Sequence, residues 1–314
     1  MKFNKALFIG FNGNEFSQEE WQQVDNSVET RVLIADMQSI TADEADADAI
    51  LVRLGAKVDK GIIDSLPKLK YIGMLGTGFA GIDGTYAAGK NITVTNIADY
   101  ATQAVTEFTF GVILEHLREV SKARVAAAAG DYSDANYSGS EIKGKSFGVI
   151  GLRNIGMRTA ELAKAFGANV SYWSRNRKSE TENVGINFIE ADMLIAQSDI
   201  ITLNLSLNKD TEGFLTKQRI DSLKPGCIVV NVSPMELLDF QALTNRLAIG
   251  DITFVLDHSD EMKAEQLETL RKFSNCIIYP AIGYLTAEAG NLKRKIYIDN
   301  LKNFLDGKPT NKVN

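Results

Sequence analysis

The sequence predicts an α/β protein of two domains, each built around a parallel sheet. Three observations carry that expectation. The chain has 314 residues, more than the roughly 100–200 of one ordinary domain. Short apolar runs alternate with amphipathic stretches along most of its length, the pattern of successive βα units. Its 45% hydrophobic and 24% charged residues are those of a globular chain with substantial cores, which excludes disordered, collagen-like and coiled-coil classes.

Taken in order, apolar runs predict strands over residues 5–10, 31–34, 49–53, 71–75 and 92–95, then over 147–151, 169–173, 199–203, 227–231, 253–257 and 276–279. Helical patterns lie between them, for instance over 17–24, 60–66, 155–166 and 190–197. One long helix is expected from about 102 to 129, where Val105, Phe108, Val112, Ile113, Leu117 and Val120 form an apolar stripe. It runs into a polar segment from Gly130 to Ser140 that reads as a surface loop. A final amphipathic segment, 286–304, is expected to pack back on the first domain. The expected division is therefore 1–99 plus 287–314 for one domain and 100–286 for the other. No internal repeat is visible.

A net charge of −6 with mixed signs offers no electrostatic footprint for nucleic acid. No apolar run approaches the roughly 20 residues of a membrane span. The first ten residues hold too short an apolar stretch for a signal peptide, so a cytoplasmic protein is expected. Cys227 and Cys276 each sit in an apolar run and read as buried hydrophobes, not as a disulfide or zinc site. With only His116 and His258, histidine-rich metal sites are excluded and no metal is expected.

The run from Phe147 to Gly156 reads as strand, tight turn and helix start, the context a dinucleotide-binding fingerprint requires. Gly151 and Gly156 fill the first and third glycine positions of G-x-G-x-x-G, and Arg153 occupies the second. A side chain there either crowds the phosphate site or contacts phosphate through its guanidinium. By itself the run also fits a plain strand–helix turn. About 20 residues on, the next strand ends in Ser174-Arg175-Asn176-Arg177-Lys178. No acidic residue is present to bind a ribose 2′-hydroxyl, whereas a serine followed by three cations suits a 2′-phosphate. NADP is therefore favoured over NAD.

With these features, the chain resembles the D-isomer-specific 2-hydroxyacid dehydrogenases over nearly its whole length. The resemblance is carried by the run from Pro67 to Asp83, by Ile92–Asn96 and by Ala104-Val105-Thr106-Glu107. In the second half it continues through Leu203–Leu207, Asp210–Phe214, Leu223-Lys224-Pro225-Gly226, Asn231-Val232-Ser233, Asp257 and Tyr279-Pro280. It implies two Rossmann/flavodoxin-like domains with the active site in a cleft between them, hydride exchange between a nicotinamide and a 2-oxo acid, and a homodimer. By position it implies Gly151, Arg153, Asn154, Ile155, Gly156, Ser174, Arg175, Arg177, Leu205, Val232, Ser233 and Asp257 against the dinucleotide. Around a small-molecule substrate it implies Thr77, Gly78, Tyr100, Pro234, Ala281 and Tyr284, with Asp99 nearby.

The family uses an arginine to clamp substrate, a histidine to donate a proton and a glutamate to orient that histidine. Here Asn231-Val232-Ser233 leads to Pro234, and Pro280 leads to Ala281. Glu261 lies near the glutamate position without a fixed register. A positioned acid is typically worth roughly 10²–10⁴-fold in rate, and Ala281 cannot act as one. Pro234 offers neither charge nor N–H to a carboxylate. His258, following the strand-end aspartate, either faces the site or packs beside the strand; His116 reads as structural or exposed. Tyr284 is either a proton donor or an apolar wall with a polar tip. Gly76-Thr77-Gly78 either offers N–H groups to an anion or is a turn that needs glycine. Two readings follow: an NADP-dependent oxidoreductase with altered chemistry or an unusual substrate, and a catalytically inactive protein that keeps the dinucleotide scaffold.

Overall fold

A computed structural model of the chain describes residues 1–53 and 55–314. They form two compact units, Met1–Ala101 with Thr286–Asn314, and Thr102–Leu285.

The first unit runs β1 (Phe3–Ile9), α1 (Gln18–Asp25), β2 (Val28–Ile34), β3 (Ala49–Arg53), α2 (Lys60–Ser65), β4 (Tyr71–Leu75), α3 (Gly84–Gly89) and β5 (Thr93–Thr95). Its sheet has the order β2-β1-β3-β4-β5, and every pairing is parallel. Helix starts are set by short polar side chains. Ser17 and Glu20 form a reciprocal capping box on α1, Asp59 caps α2 and Asp83 caps α3, each worth about 1 kcal/mol. The chain order reverses between β1 and β3, so the carboxyl ends of these two strands mark a topological switch point.

The second unit begins with α4 (Thr102–Arg118) and α5 (Val120–Ala128) and continues through β6 (Ser146–Ile150), α6 (Asn154–Ala165), β7 (Asn169–Trp173), α7 (Ser179–Glu182), β8 (Asn187–Phe188) and α8 (Ala191–Gln197). After these come β9 (Ile200–Leu203), α9 (Lys217–Asp221), β10 (Ile228–Asn231), α10 (Phe240–Ile249), β11 (Thr253–Leu256), α11 (Ala264–Leu270) and β12 (Cys276–Ile278). The sheet order is β12-β11-β10-β9-β6-β7-β8, again parallel throughout. Its inner strands are buried on both faces, which is why they read as continuous apolar runs. Cys227 and Cys276 are buried in one of the two cores that flank this sheet.

The long helix expected over 102–129 is broken. Glu119 adopts a left-handed conformation (φ 50°, ψ 37°) between α4 and α5. Neither glycine nor proline causes the break. The loop after α5 folds back so that the Ser140 N–H donates to the Leu117 carbonyl at 2.9 Å, and the Glu119 carboxylate pairs with Lys122 and accepts from the Ser138 N–H.

The last helix, α12 (Ala287–Leu305), belongs to the first unit. Tyr297 carries it into that core. The ring lies 6.2 Å from Phe11 and 5.9 Å from Phe16, and its hydroxyl donates to the Gly73 carbonyl at 3.2 Å.

Candidate functional site

The strand order of the second unit reverses between β6 and β9, and the Gly-rich turn leaves the sheet there. The Gly151 N–H donates to the Trp173 carbonyl (2.8 Å), and the Asn204 N–H to the Ile150 carbonyl (2.8 Å). The turn is thus fixed between β7 and β9. Gly151 has φ +92°, and a Cβ on it would lie 2.7 Å from the Asn204 carbonyl oxygen. No side chain caps the N-terminus of α6, so its first-turn N–H groups are available to an anion.

Beside this turn lies a cleft of about 390 Å³ whose walls include Gly151, Arg153, Trp173, Ser174, Arg175, Lys178, Leu205 and Asp210. The turn after β7 is held in shape by its own polar groups. The buried Tyr172 hydroxyl accepts from the Lys178 N–H at 2.7 Å, and the Ser174 hydroxyl donates to the Asn176 carbonyl at 2.6 Å. Arg175 reaches Asp210 at 2.9 Å, with side chains 73% and 70% exposed. Such a pair is worth only about 0–1 kcal/mol and is easily exchanged for another anion. The cleft therefore holds three cations, Arg153, Arg175 and Lys178, against one carboxylate, Asp210.

Several sequence candidates do not line this cleft. Arg177 turns to Glu182, with contacts of 2.7 and 2.8 Å, and lies 5.7 Å from the Phe188 ring. Ile155 and Gly156 form the helix start behind the turn, whereas Asn154 is exposed there. Val232, Ser233 and Asp257 follow the ends of β10 and β11. The Ser233 hydroxyl donates to the Leu203 carbonyl at 2.9 Å, tying that end to β9. The Asp257 carboxylate accepts from the Ile282 and Gly283 N–H groups at 3.1 Å and so anchors the loop that contains Ala281. Burial pushes its pKa up, against the pull of those two N–H donors.

Of the two histidines, His116 stands 3.4 Å from the Thr253 hydroxyl, at the amino end of β11 and away from the strand ends that carry the cleft. His258 follows Asp257, with Nδ1 3.4 Å from Glu261. Pro234 precedes the short 3₁₀ turn Met235–Leu237, Ala281 is half-buried and Tyr284 is exposed. In the first unit, Thr77 and Gly78 are exposed beyond β4. The Thr77 hydroxyl donates to the Ile97 carbonyl at 2.9 Å. Asp99 is left-handed (φ 64°), and Tyr100 packs against the aromatic core of that unit. Sequence reasoning did not single out Trp173, Asn204 or Asp210 for the cleft. Their common signal is position at the carboxyl ends of β7 and β9, the neighbours of β6.

Residues 110–283 match the family described as D-isomer specific 2-hydroxyacid dehydrogenase, NAD binding domain. A hydroxypyruvate reductase of Blautia hydrogenotrophica is 30% identical over 291 residues, 90% of each chain. A glyoxylate reductase of Thermococcus litoralis is 31% identical over 278 residues, 86% of this chain and 84% of that one. D-lactate dehydrogenase from Aquifex aeolicus, solved with NAD and lactic acid, shares the fold with a TM-score of 0.81 at 25% identity, over 96% of both chains. No helix among the described residues is long and apolar enough to cross a membrane, and no group of three or more potential metal ligands occurs among them. With its parallel sheets, its glycine turn at the switch point and relatives matched along most of its length, this chain belongs to the D-isomer-specific 2-hydroxyacid dehydrogenase family.

Proposed function

We propose that the protein is an NADP-dependent oxidoreductase of this family whose chemistry or small-molecule substrate departs from ordinary 2-oxo-acid reduction. The observation that carries the cofactor assignment is the cleft beside the glycine turn. Ser174 stands at the end of β7, where a 2′-hydroxyl would call for an acid, and three cations face one carboxylate. The residues fit the dinucleotide. The N-terminus of α6 is free of a side-chain cap and receives the pyrophosphate, and Trp173 and Leu205 give the purine an apolar wall. Arg175 and Lys178 hold the 2′-phosphate, Arg175 by leaving Asp210. When bound, the dinucleotide supplies or accepts a hydride.

Departure from the usual chemistry rests on Pro234 and Ala281. Neither side chain donates a proton or carries a charge, and Asp257 is committed to the Ile282 and Gly283 N–H groups. A homodimer is part of the same reading. Helix α5 has no buried residue, and Val120, Val125 and Tyr132 are exposed along it and just beyond, an apolar surface of the kind that a second copy covers. Parallel titration with NADPH and NADH tests the cofactor assignment. A screen of NADPH oxidation against 2-oxo acids, aldehydes, imines and enones tests the chemistry. Ordinary dehydrogenase rates on pyruvate or glyoxylate would refute the departure, and inactivity across the screen would favour a dinucleotide-binding protein without catalysis.

A further inference from the structure

Each unit leaves its first switch-point strand on a left-handed glycine. In the second unit that residue is Gly151; in the first it is Gly10, with φ +77°. The Gly10 N–H donates at 2.8 Å to the carbonyl of Ile34, the last residue of β2, just as the Gly151 N–H donates to that of Trp173, the last residue of β7. Past β7 the chain reads Ser174-Arg175, and past β2 it reads Ala35-Asp36. The first unit thus repeats the turn of the second with an acid in place of the cation. In a strand-end turn of this kind an acid accepts from the hydroxyls of a ribose.

A cleft of about 520 Å³ opens beside Gly10, and its walls include Asp36, Met37, Arg53, Ala56 and Lys57. That volume suits a small molecule, and the two ends of the cleft differ in chemistry. Past β2, Asp36 Oδ1 accepts from the Gln38 and Ser39 N–H groups at 2.9 and 3.0 Å and from the Ser39 hydroxyl at 2.9 Å. Among the described residues nothing donates to Oδ2. The carboxylate is therefore held in place with one acceptor to spare. Next to it Met37 packs on the core of the unit and gives this end an apolar wall. Past β3 the cleft is cationic. One guanidinium nitrogen of Arg53 donates to the Gly10 carbonyl at 3.3 Å and to Glu15 at 3.0 Å. Among the described residues its other nitrogens have no partner, and Lys57 has no ion pair.

We propose that this cleft of the first unit binds a nucleoside monophosphate. The spare oxygen of Asp36 accepts from the ribose diol, Met37 packs on the base, and Arg53 and Lys57 hold the phosphate across the end of β1. Side chains carry the phosphate here because Ser17 and Glu20 close the N-terminus of α1. All of these residues belong to the first unit, so the site is separate from the cleft beside Gly151. The two clefts also select differently: an acid at the strand end accepts an unmodified ribose and repels a phosphate on it.

The test is calorimetric titration of the full chain with AMP, adenosine and 2′,3′-dideoxy-AMP, together with photolabelling by 8-azido-AMP and mapping of the labelled peptides. AMP is expected to bind roughly 10-fold more tightly than either analogue, and the label to fall within residues 35–57. Asp36→Asn keeps the Oδ1 acceptor that shapes the turn and removes the spare carboxylate oxygen. It is expected to weaken AMP roughly 10-fold and to erase the preference over the dideoxy analogue. Lys57→Met is expected to weaken AMP several-fold and adenosine little. Absence of AMP binding, unchanged AMP affinity in Asp36→Asn, or a label confined to residues 151–211 overturns the site. Equal affinity for AMP and its dideoxy analogue overturns the role of Asp36, and equal affinity for AMP and adenosine overturns the phosphate assignment.

Discussion

A methyl group on Gly156 would lie 1.8 Å from the carbonyl oxygen of Gly151. The two glycines therefore fix how closely α6 approaches the end of β6, and with it the position of the helix N-terminus. Gly156→Ala forces that contact apart. It is expected to lower stability by about 1–3 kcal/mol and to abolish dinucleotide binding even where the variant remains folded. Thermal denaturation and NADPH fluorescence check the two effects, and a variant with wild-type binding would refute the role given to the turn.

Asp210 pairs with Arg175, and under the NADP proposal it would compete there with a 2′-phosphate. Asp210→Asn is expected to raise NADPH affinity a few-fold with little change for NADH, because the repulsion it relieves acts on the extra phosphate. Arg175→Ala is expected to weaken NADPH roughly 10-fold or more and to spare NADH. Equal effects on both nucleotides would place Arg175 away from the 2′ position.

Asp199 precedes β9 and accepts from the Ser146 N–H at 2.9 Å and from Lys224 at 2.5 Å. Burial pushes its pKa up, but these donors outweigh it, and the net shift is downward. A carboxylate with a depressed folded pKa adds stability above its unfolded value of about 3.9, and that stability is lost as pH falls through the folded value. Asp199→Asn is therefore expected to cost about 1 kcal/mol at pH 7 and progressively less below about pH 4. Urea denaturation at pH 7 and pH 3 measures the difference; a cost that grows at low pH contradicts the assignment.

Burial pushes both cysteine thiols up to about 12. Neither is expected to react with a disulfide reagent in the native protein at pH 8, and both react once the chain is unfolded in guanidinium. A thiol titrating rapidly in the native state would show that one core is open.

The sheets were legible in the sequence because parallel strands buried on both faces leave apolar runs, as in Ile228-Val229-Val230 of β10. The glycine turn was legible for a similar reason, since Gly151 and Gly156 occupy positions that exclude a side chain. The break at Glu119 was not. It depends on Ser140, twenty-one residues on, returning to the Leu117 carbonyl, and nothing local marks it. Among the cations after β7, sequence order could not say which face the cleft. Tyr172 draws the Lys178 backbone inward while Glu182 draws Arg177 away.

The most direct test of the central claim is a pair of fluorescence titrations of the wild-type chain, one with NADPH and one with NADH, at a single fixed salt concentration. A cleft in which Ser174, Arg175 and Lys178 receive a 2′-phosphate predicts NADPH bound at least roughly 10-fold more tightly than NADH, a difference of about 1.4 kcal/mol. Equal affinities would contradict the 2′-phosphate assignment, and failure of both to bind would contradict the dinucleotide site itself.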